Sequence, residues 1–253
     1  MPSPGALLPQ VLTIAERAAA VVLQHYTHGT TVSAKEDASP VTAADEAAEA
    51  VLIAGLRRLT PDVPIVAEEA AARGEVPAIG EGPFWLVDPL DGTREFLSRN
   101  GEFTVNVALI EHRRPVLGVV LAPARGLAWW GAEGLGASRR AEGTVSRIKS
   151  RRRPAEGAVA VASRSHRDPA TDAWLAAEGI AETISAGSSL KFCVVAEGRA
   201  DVYPRFGPTM EWDTAAGDAV LRAAGGTGET IDGEPLPYAK PGFRNPGFIA
   251  RGI

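Results

Sequence analysis

Apolar and polar positions follow two different periods along this chain. Leu7, Val11, Ile14, Ala18, Val21 and Val22 recur at helical spacing and predict a helix over 7–25. A polar stretch with Lys35, Glu36 and Asp37 follows, read as a loop. Beyond Pro40 a second helical pattern sets Val51, Leu52, Leu56 and Leu59 on one face. Thr42 with Asp45 three residues on reads as a capping box, and Thr60-Pro61-Asp62 as the stop. Short apolar runs then take over. Residues 65–67 and 84–87 predict buried strands that end in acids. Residues 103–110 and 116–122 predict a hairpin pair, and 128–130 a further strand. Residues 139–156 crowd Arg139, Arg140, Arg147, Lys149 and Arg151–Arg153 among few apolar anchors. They read as a solvated loop at a boundary between two halves, with steering of anionic substrates as the second reading. Strands over 159–162 and 200–203 then alternate with helices over 168–178, 188–197 and 213–224. Gly225-Gly226 closes the last of these. The pattern is mixed α and β, with sheets covered by helices.

Composition narrows the class. At 253 residues, with 45% hydrophobic and 23% charged residues, the chain can bury a sizeable core as one large domain or two packed halves. A formal charge of −5 argues against nucleic-acid binding through phosphate neutralisation. The single cysteine, Cys193, cannot form an internal disulfide, which fits a reducing compartment. The opening MPSPGALLPQ has no basic stretch leading into an apolar one. Neither a signal peptide nor a membrane span is expected, and the localisation expected is cytoplasmic.

The chemistry concentrates in acids. In Trp85-Leu86-Val87-Asp88-Pro89-Leu90-Asp91-Gly92-Thr93 an apolar strand runs into two aspartates three apart. Pro89 keeps Asp88 out of helical geometry, Gly92 permits a tight turn, and Thr93 can cap a following helix. Carboxylates are the hard oxygen ligands that Mg²⁺ takes, and helix-terminal N–H groups suit a phosphate. A turn with an N-cap would explain Asp88 and Asp91 alone. Glu68-Glu69 also ends an apolar strand, however, and Glu211-Trp212-Asp213 opens a helix of small residues. Asp213 as a plain N-cap and Asp45 as a capping-box acid are reasonable singly. Together those readings leave the recurrence of acids at element ends unexplained.

With these motifs in place, Asp88-Pro89-Leu90-Asp91-Gly92-Thr93, Trp212-Asp213-Thr214-Ala215-Ala216-Gly217, Glu68-Glu69 and Thr42-x-x-Asp45, the sequence resembles the inositol monophosphatase superfamily of lithium-sensitive, metal-dependent phosphatases. The resemblance implies the layered α-β-α-β-α sandwich of the sugar-phosphatase superfold. An α+β half would span residues 1–140 and carry most metal ligands. An α/β half would span 141–253 and carry Asp213 and the specificity residues. It implies two Mg²⁺ ions, or three. Glu68, Asp88 and the Leu90 carbonyl would hold one; Asp88, Asp91 and Asp213 a second; a weaker third would share Glu68. Asp45, Glu68 and Thr93 would be catalytic, with Thr93 paired to Asp45 and, with Glu68, orienting and deprotonating water. Gly92 and Thr93 would hold the substrate phosphate through their backbone.

Finer agreement is similar to the 3′(2′),5′-bisphosphate nucleotidase branch, of the CysQ type. It rests on Arg94-Glu95-Phe96, on Arg99-Asn100-Gly101-Glu102-Phe103-Thr104-Val105-Asn106, on Gly187-Ser188-Ser189-Leu190-Lys191-Phe192-Cys193, on Ala200-Asp201-Val202-Tyr203-Pro204-Arg205, and on Tyr238 with Asn245-Pro246-x-Phe248. That branch implies a small phosphate ester as partner, 3′-phosphoadenosine 5′-phosphate or its sulfated parent, both of sulfate activation. Ser188, Ser189, Lys191 and Arg205 become candidate substrate contacts, Arg205 bidentately; an ordinary surface charge is the competing reading of Lys191. An inositol or fructose phosphatase, and a non-catalytic nucleotide or ion sensor, are the alternatives. A sensor has no need of Asp45 and Thr93. A homodimer is compatible with the resemblance.

Other signals are set aside. Ser188-x-x-Lys191 lacks the partner motifs of an acyl-enzyme site. His25, His28, His112 and His166 are too scattered for zinc. Trp129-Trp130 and Cys193 read as core.

Overall fold

The computed structural model describes residues 1–34, 40–163 and 168–253. The expected loop of Lys35, Glu36 and Asp37, and His166, lie outside the described residues. Two helices open the chain, α1 (Pro4–His28) and, after strands β1 (Val32–Ala34) and β2 (Pro40–Thr42), α2 (Ala43–Leu59). Next come β3 (Ile65–Ala67), α3 (Glu68–Ala72), β4 (Phe84–Asp91), α4 (Thr93–Leu97), β5 (Thr104–Glu111) and β6 (Arg114–Ala122). Strands β7 (Leu127–Ala132), β8 (Gly136–Ala141) and β9 (Thr144–Ile148) complete a seven-stranded sheet in the order β3 to β9. The remainder holds β10 (Val159–Ser163), α5 (Pro169–Ala177), β11 (Glu182–Ala186), α6 (Leu190–Ala196), β12 (Val202–Arg205), α7 (Glu211–Ala223), β13 (Thr227–Thr230) and β14 (Phe248–Arg251). Its five strands are ordered β11-β10-β12-β14-β13.

Side-chain alternation stacks these elements into five layers. Val105, Val107 and Leu109 of β5 point to a core shared with Leu7, Val11, Leu52 and Leu56 of α1 and α2. Ala108 and Ile110 point the other way, into a core with Phe192 of α6, Val220 of α7 and Phe248 of β14. Leu175 of α5 and Val202 of β12 close a third core on the far side of the second sheet. The order is therefore helices, sheet, helices, sheet, helix, as the resemblance implied. Helix α7 lies so close to the first sheet that a Cβ on Gly118 would run into the Ala216 carbonyl. By length and apolar composition α1 could cross a bilayer. Its buried residues pack on α2 and the sheet instead, as a core helix.

The Arg-rich segment departs from expectation. Residues 136–148 form the β8–β9 hairpin rather than a loop, and Arg139 pairs across it with Ser146. Only β9 is an edge strand, where the charge of Arg147 discourages further pairing, while Arg139 and Arg140 on β8 form ion pairs with Glu197 and Glu16. The chain passes from one sheet to the other through residues 149–158, downstream of residue 140. The C-terminal strands β13 and β14 and strand β11 had no counterpart in the hydrophobic pattern.

Candidate active site

The strand that carries the two aspartates explains how both face one way. In a regular strand, residues three apart point to opposite faces. Asp88 pairs with Asn106 and Asp91 with Thr104, so two residues of β4, Pro89 and Leu90, stand against one of β5, Val105, a one-residue bulge. Pro89 sits inside it, where its missing N–H takes nothing from the ladder. Because Thr104 and Asn106 share a face, so do Asp88 and Asp91. It is the face that α7 covers.

Two further acids join from other elements. β3 runs parallel to β4 with Ala67 opposite Val87, which puts Glu68 at the strand end beside Asp88. Asp213 occupies the third position of α7, where its Oδ2 accepts the Met210 N–H at 2.8 Å. It is thus a capping acid within the first turn rather than the N-cap itself. Asp88 is fully buried and accepts the Leu90 N–H at 3.0 Å. Burial, then Glu68, Asp91 and Asp213, push its carboxyl well above the usual carboxylate range. The protein around Asp213, then Asp91 and Glu68, drives that carboxyl up as well.

Asp91 is held from the opposite half. Its Oδ2 accepts the Ser189 N–H at 2.7 Å and the Ser188 hydroxyl at 2.5 Å. Ser189 Oγ lies 2.7 Å from the Asp213 carbonyl, so one serine touches both aspartates. Ser188 and Ser189 lie in the turn before α6, which begins at Leu190 rather than 188. Expected as substrate contacts, they are directed here onto Asp91.

The phosphate loop also differs in detail. Gly92, in left-handed conformation at φ +93°, is the N-cap of α4, and Thr93 is its first helical residue rather than its cap. A side chain at Gly92 would stand 3.3 Å from the Glu102 carbonyl, so glycine is needed for the turn and for space. Thr93 Oγ1 points to the Leu90 carbonyl at 3.5 Å. The expected Thr93–Asp45 pair is not formed among the described residues; Asp45 Oδ2 takes the Thr42 N–H at 2.8 Å and hydroxyl at 2.7 Å in the capping box.

Lys191 is buried, which rules out the surface-charge reading. Its Nζ donates to the Ser188 carbonyl at 2.5 Å and lies 5.4 Å from the Tyr203 ring. Burial lowers its pKa to about 8, with Asp91 pulling the other way. Arg205 donates to the carbonyls of Gly207 and Pro208, both at 3.2 Å.

Whether a metal fits can be judged from these donors. Glu68, Asp88, Asp91, Asp213 and the Leu90 carbonyl offer only hard oxygens, the set that suits Mg²⁺. The raised carboxyls of Asp88 and Asp213 are the cost of assembling such a cluster without a cation. Buried Asn106, opposite Asp88, has neither amide atom hydrogen-bonded. Among the described residues no three acids yet close on one point as a finished chelate. Asp91 and Asp213 are turned into their hydrogen bonds with Ser188, Ser189 and Met210. The donors fit a divalent cation.

Sequence reasoning gave no role to Glu102, Thr104 or Asn106. The signal was present: Thr104 and Asn106 are polar positions two apart in an otherwise apolar strand, which marks one face of that strand as polar.

Known proteins agree with this architecture. The model of the inositol monophosphatase family matches residues 7–247. The 3′(2′),5′-bisphosphate nucleotidase CysQ of Escherichia coli strain K12 is 49% identical over 245 residues, covering 96% of this chain and 98% of that protein. The protein of the same name from Haemophilus influenzae is 32% identical over 252 residues, covering 97% and 93%. The crystal structure of CysQ from Bacteroides thetaiotaomicron superposes with a TM-score of 0.81 at 39% identity, covering 96% of both chains. An inositol monophosphatase from Anabaena gives 0.78 at 29%, covering 98% of this chain and 90% of its own. With the motifs, the five layers and a match that runs almost end to end, the chain belongs to the inositol monophosphatase family.

Proposed function

We propose that this protein is a Mg²⁺-dependent 3′(2′),5′-bisphosphate nucleotidase that converts 3′-phosphoadenosine 5′-phosphate to AMP and phosphate. The observation that carries the reading is the bulge at Pro89, which turns Asp88 and Asp91 to one face beside Glu68 and Asp213. Relatives bearing that activity in their names, at up to 49% identity over nearly the whole chain, support the substrate class.

Glu68, Asp88, Asp91, Asp213 and the Leu90 carbonyl would hold two Mg²⁺ ions, with a weaker third on Glu68. Bound there, Mg²⁺ lowers the pKa of water and neutralises the leaving oxygen of an in-line displacement. The chain's own residues position the reactants. The backbone N–H groups of Gly92 and Thr93 hold the 3′-phosphate. The Thr93 hydroxyl orients a water, and Glu68 takes its proton. That oxygen bonds to phosphorus, the P–O3′ bond breaks, and the 3′-oxygen leaves as a hydroxyl, taking its proton from a second water, while Glu68 passes its own proton back to solvent. Asp45, which caps α2 through Thr42, would pair with the Thr93 hydroxyl. Lys191 and Arg205 face the 5′-phosphate.

Cytoplasmic action and a homodimer belong to the same proposal, the second open to sedimentation. The test of function is phosphate release from a panel of phosphomonoesters with Mg²⁺ and after exhaustive chelation. We expect 3′-phosphoadenosine 5′-phosphate to turn over with the highest kcat/KM, and no turnover without metal. Full activity after chelation would overturn the metal assignment.

A further inference from the structure

The segment Arg99–Phe103 set this sequence apart within its family, yet nothing in the proposed reaction uses it. In the fold, Glu102 lies between the two glycines that shape the site. Its carbonyl would be 3.3 Å from a Cβ on Gly92 and 3.0 Å from a Cβ on Gly187. Its side chain is buried, and Oε2 accepts the Gly187 N–H at 2.8 Å, across 85 positions of sequence. Oε1 accepts from Arg125 at 2.8 Å, which supplies the counter-charge that a buried carboxylate needs.

Gly187 opens the turn that grips Asp91. The next residue, Ser188, adopts φ +54°, a left-handed conformation that is strained for a non-glycine residue. Strain of this kind persists only where surroundings over-determine it. On one side Ser188 Oγ meets Thr104 Oγ1 at 2.5 Å and Asp91 Oδ2 at 2.5 Å. On the other, Glu102 pins the N–H of the residue before it. Asp91 Oδ2 is thereby taken up by the Ser188 and Ser189 donors, which fixes the carboxylate plane and leaves Oδ1 as the oxygen for a metal.

We propose that Glu102 is a positioning residue: by anchoring Gly187 it sets the turn of Ser188 and Ser189 on Asp91, and so sets the grip of Asp91 on the metal. This rests on the assignment of Asp91 as a ligand under the proposed function. Neither metal nor substrate need touch Glu102. Its effect passes through one hydrogen bond, one close glycine contact and one strained residue.

The test measures Mg²⁺ affinity by calorimetry on the full, metal-free chain, with the thermal midpoint recorded for each variant. Glu102→Ala is expected to weaken Mg²⁺ binding about tenfold, the scale of one hydrogen bond to a charged group. Glu102→Gln keeps an acceptor for Gly187 and is expected to recover most of that loss. Gly187→Ala pushes the turn away from Glu102 without removing the carboxylate, and is expected to weaken Mg²⁺ binding likewise. It carries the test should Glu102→Ala not fold. A purely structural role would lower the thermal midpoint and leave the affinity unmoved well below it. Unchanged Mg²⁺ affinity in the folded Glu102→Ala or Gly187→Ala protein, with Asp91→Asn impaired, would overturn this inference alone. Unchanged affinity in Asp91→Asn would overturn the ligand assignment, and this inference with it.

Discussion

The backbone N–H of Ser189 donates to Asp91 Oδ2 at 2.7 Å, joining residues 98 positions apart. Asp91 ends a strand of the first sheet, and Ser189 stands at the turn into a helix that packs on the second. The same serine's hydroxyl reaches the Asp213 carbonyl at 2.7 Å. The candidate site is therefore a junction, and its acids are held in place by contacts between the two halves.

This geometry separates ligation from folding. Asn at position 91 can still accept the Ser189 N–H through its amide oxygen, and Asn at 213 can still accept from Met210. Asp91→Asn and Asp213→Asn should each cut kcat by roughly a hundredfold or more, as expected for loss of a group needed in the transition state. The thermal midpoint in chelator should stay at or above that of wild type, since each variant removes one charge from a cluster of repelling carboxylates. Near-normal turnover by either variant would remove that residue from the metal site.

Thr93→Ala separates water positioning from metal binding. The hydroxyl makes a long 3.5 Å approach to the Leu90 carbonyl, so its loss should barely disturb the loop. We expect kcat to fall by roughly 10²–10⁴, the range of a positioned proton-transfer group, with calorimetric Mg²⁺ affinity within about twofold of wild type. An affinity loss as large as the kcat loss would make Thr93 part of the metal shell.

How much of this was legible in the sequence depends on what each residue answers to. The periods of α1 and α2 and the Thr42–Asp45 capping box are local, and the sequence shows them. The end of β4 was not legible, because Pro89 reads as a break while the fold absorbs it as a bulge. The β8–β9 hairpin was hidden by Arg139, Arg140 and Arg147, charges that mimic a loop, although the first two are answered by Glu197 and Glu16 and only Arg147 lies on the edge strand. The acids were legible because acidic residues recur at element ends. Their anchors were not: Glu102 meets Gly187, and Ser188 meets Asp91, only through tertiary packing. For Lys191 the sequence left burial and exposure equally open, and the enclosing core of α6 decides it.

The raised carboxyls of Asp88 and Asp213 give a pH signature. A carboxyl whose folded pKa lies above its unfolded value stabilises the fold below the ordinary carboxylate range. That contribution is lost as pH rises through the raised folded value. Metal-free protein should therefore lose stability from this cluster as pH rises above about 4, the ordinary aspartate value. Mg²⁺ should restore it, adding about 2.7 kcal/mol at a hundredfold excess over Kd, or roughly 5–10 °C in a chain of this size. The Mg²⁺-induced rise should be larger at pH 8 than at pH 5.5, because protons compete for the same oxygens. Thermal melts at the two pH values, with Asp88→Asn as the flattened control, check this. A rise independent of pH would show that the metal binds elsewhere.

Under the proposed function substrate choice comes from outside the acid cluster, since the cations it would hold meet only the phosphate being transferred. Lys191 is buried one helical turn beyond Ser188, and Arg205 is oriented by the Gly207 and Pro208 carbonyls. Both cations influence Asp213 or Asp91 through space, which places them at the edge of the same site. A charge-assisted contact to a second phosphate is worth about 1.5–3 kcal/mol, roughly a tenfold to hundredfold preference. Binding energy from that remote group is what would raise kcat/KM on the bisphosphate. Arg205→Ala should accordingly lose about tenfold to hundredfold in kcat/KM on 3′-phosphoadenosine 5′-phosphate and little on a simple monoester. Lys191→Met should behave alike. In wild type the preference should narrow as pH climbs past about 8, where Lys191 gives up its proton. Equal losses on both substrates would show that the two cations serve the fold. A wild-type preference for inositol 1-phosphate would place the protein in the other branch of its family.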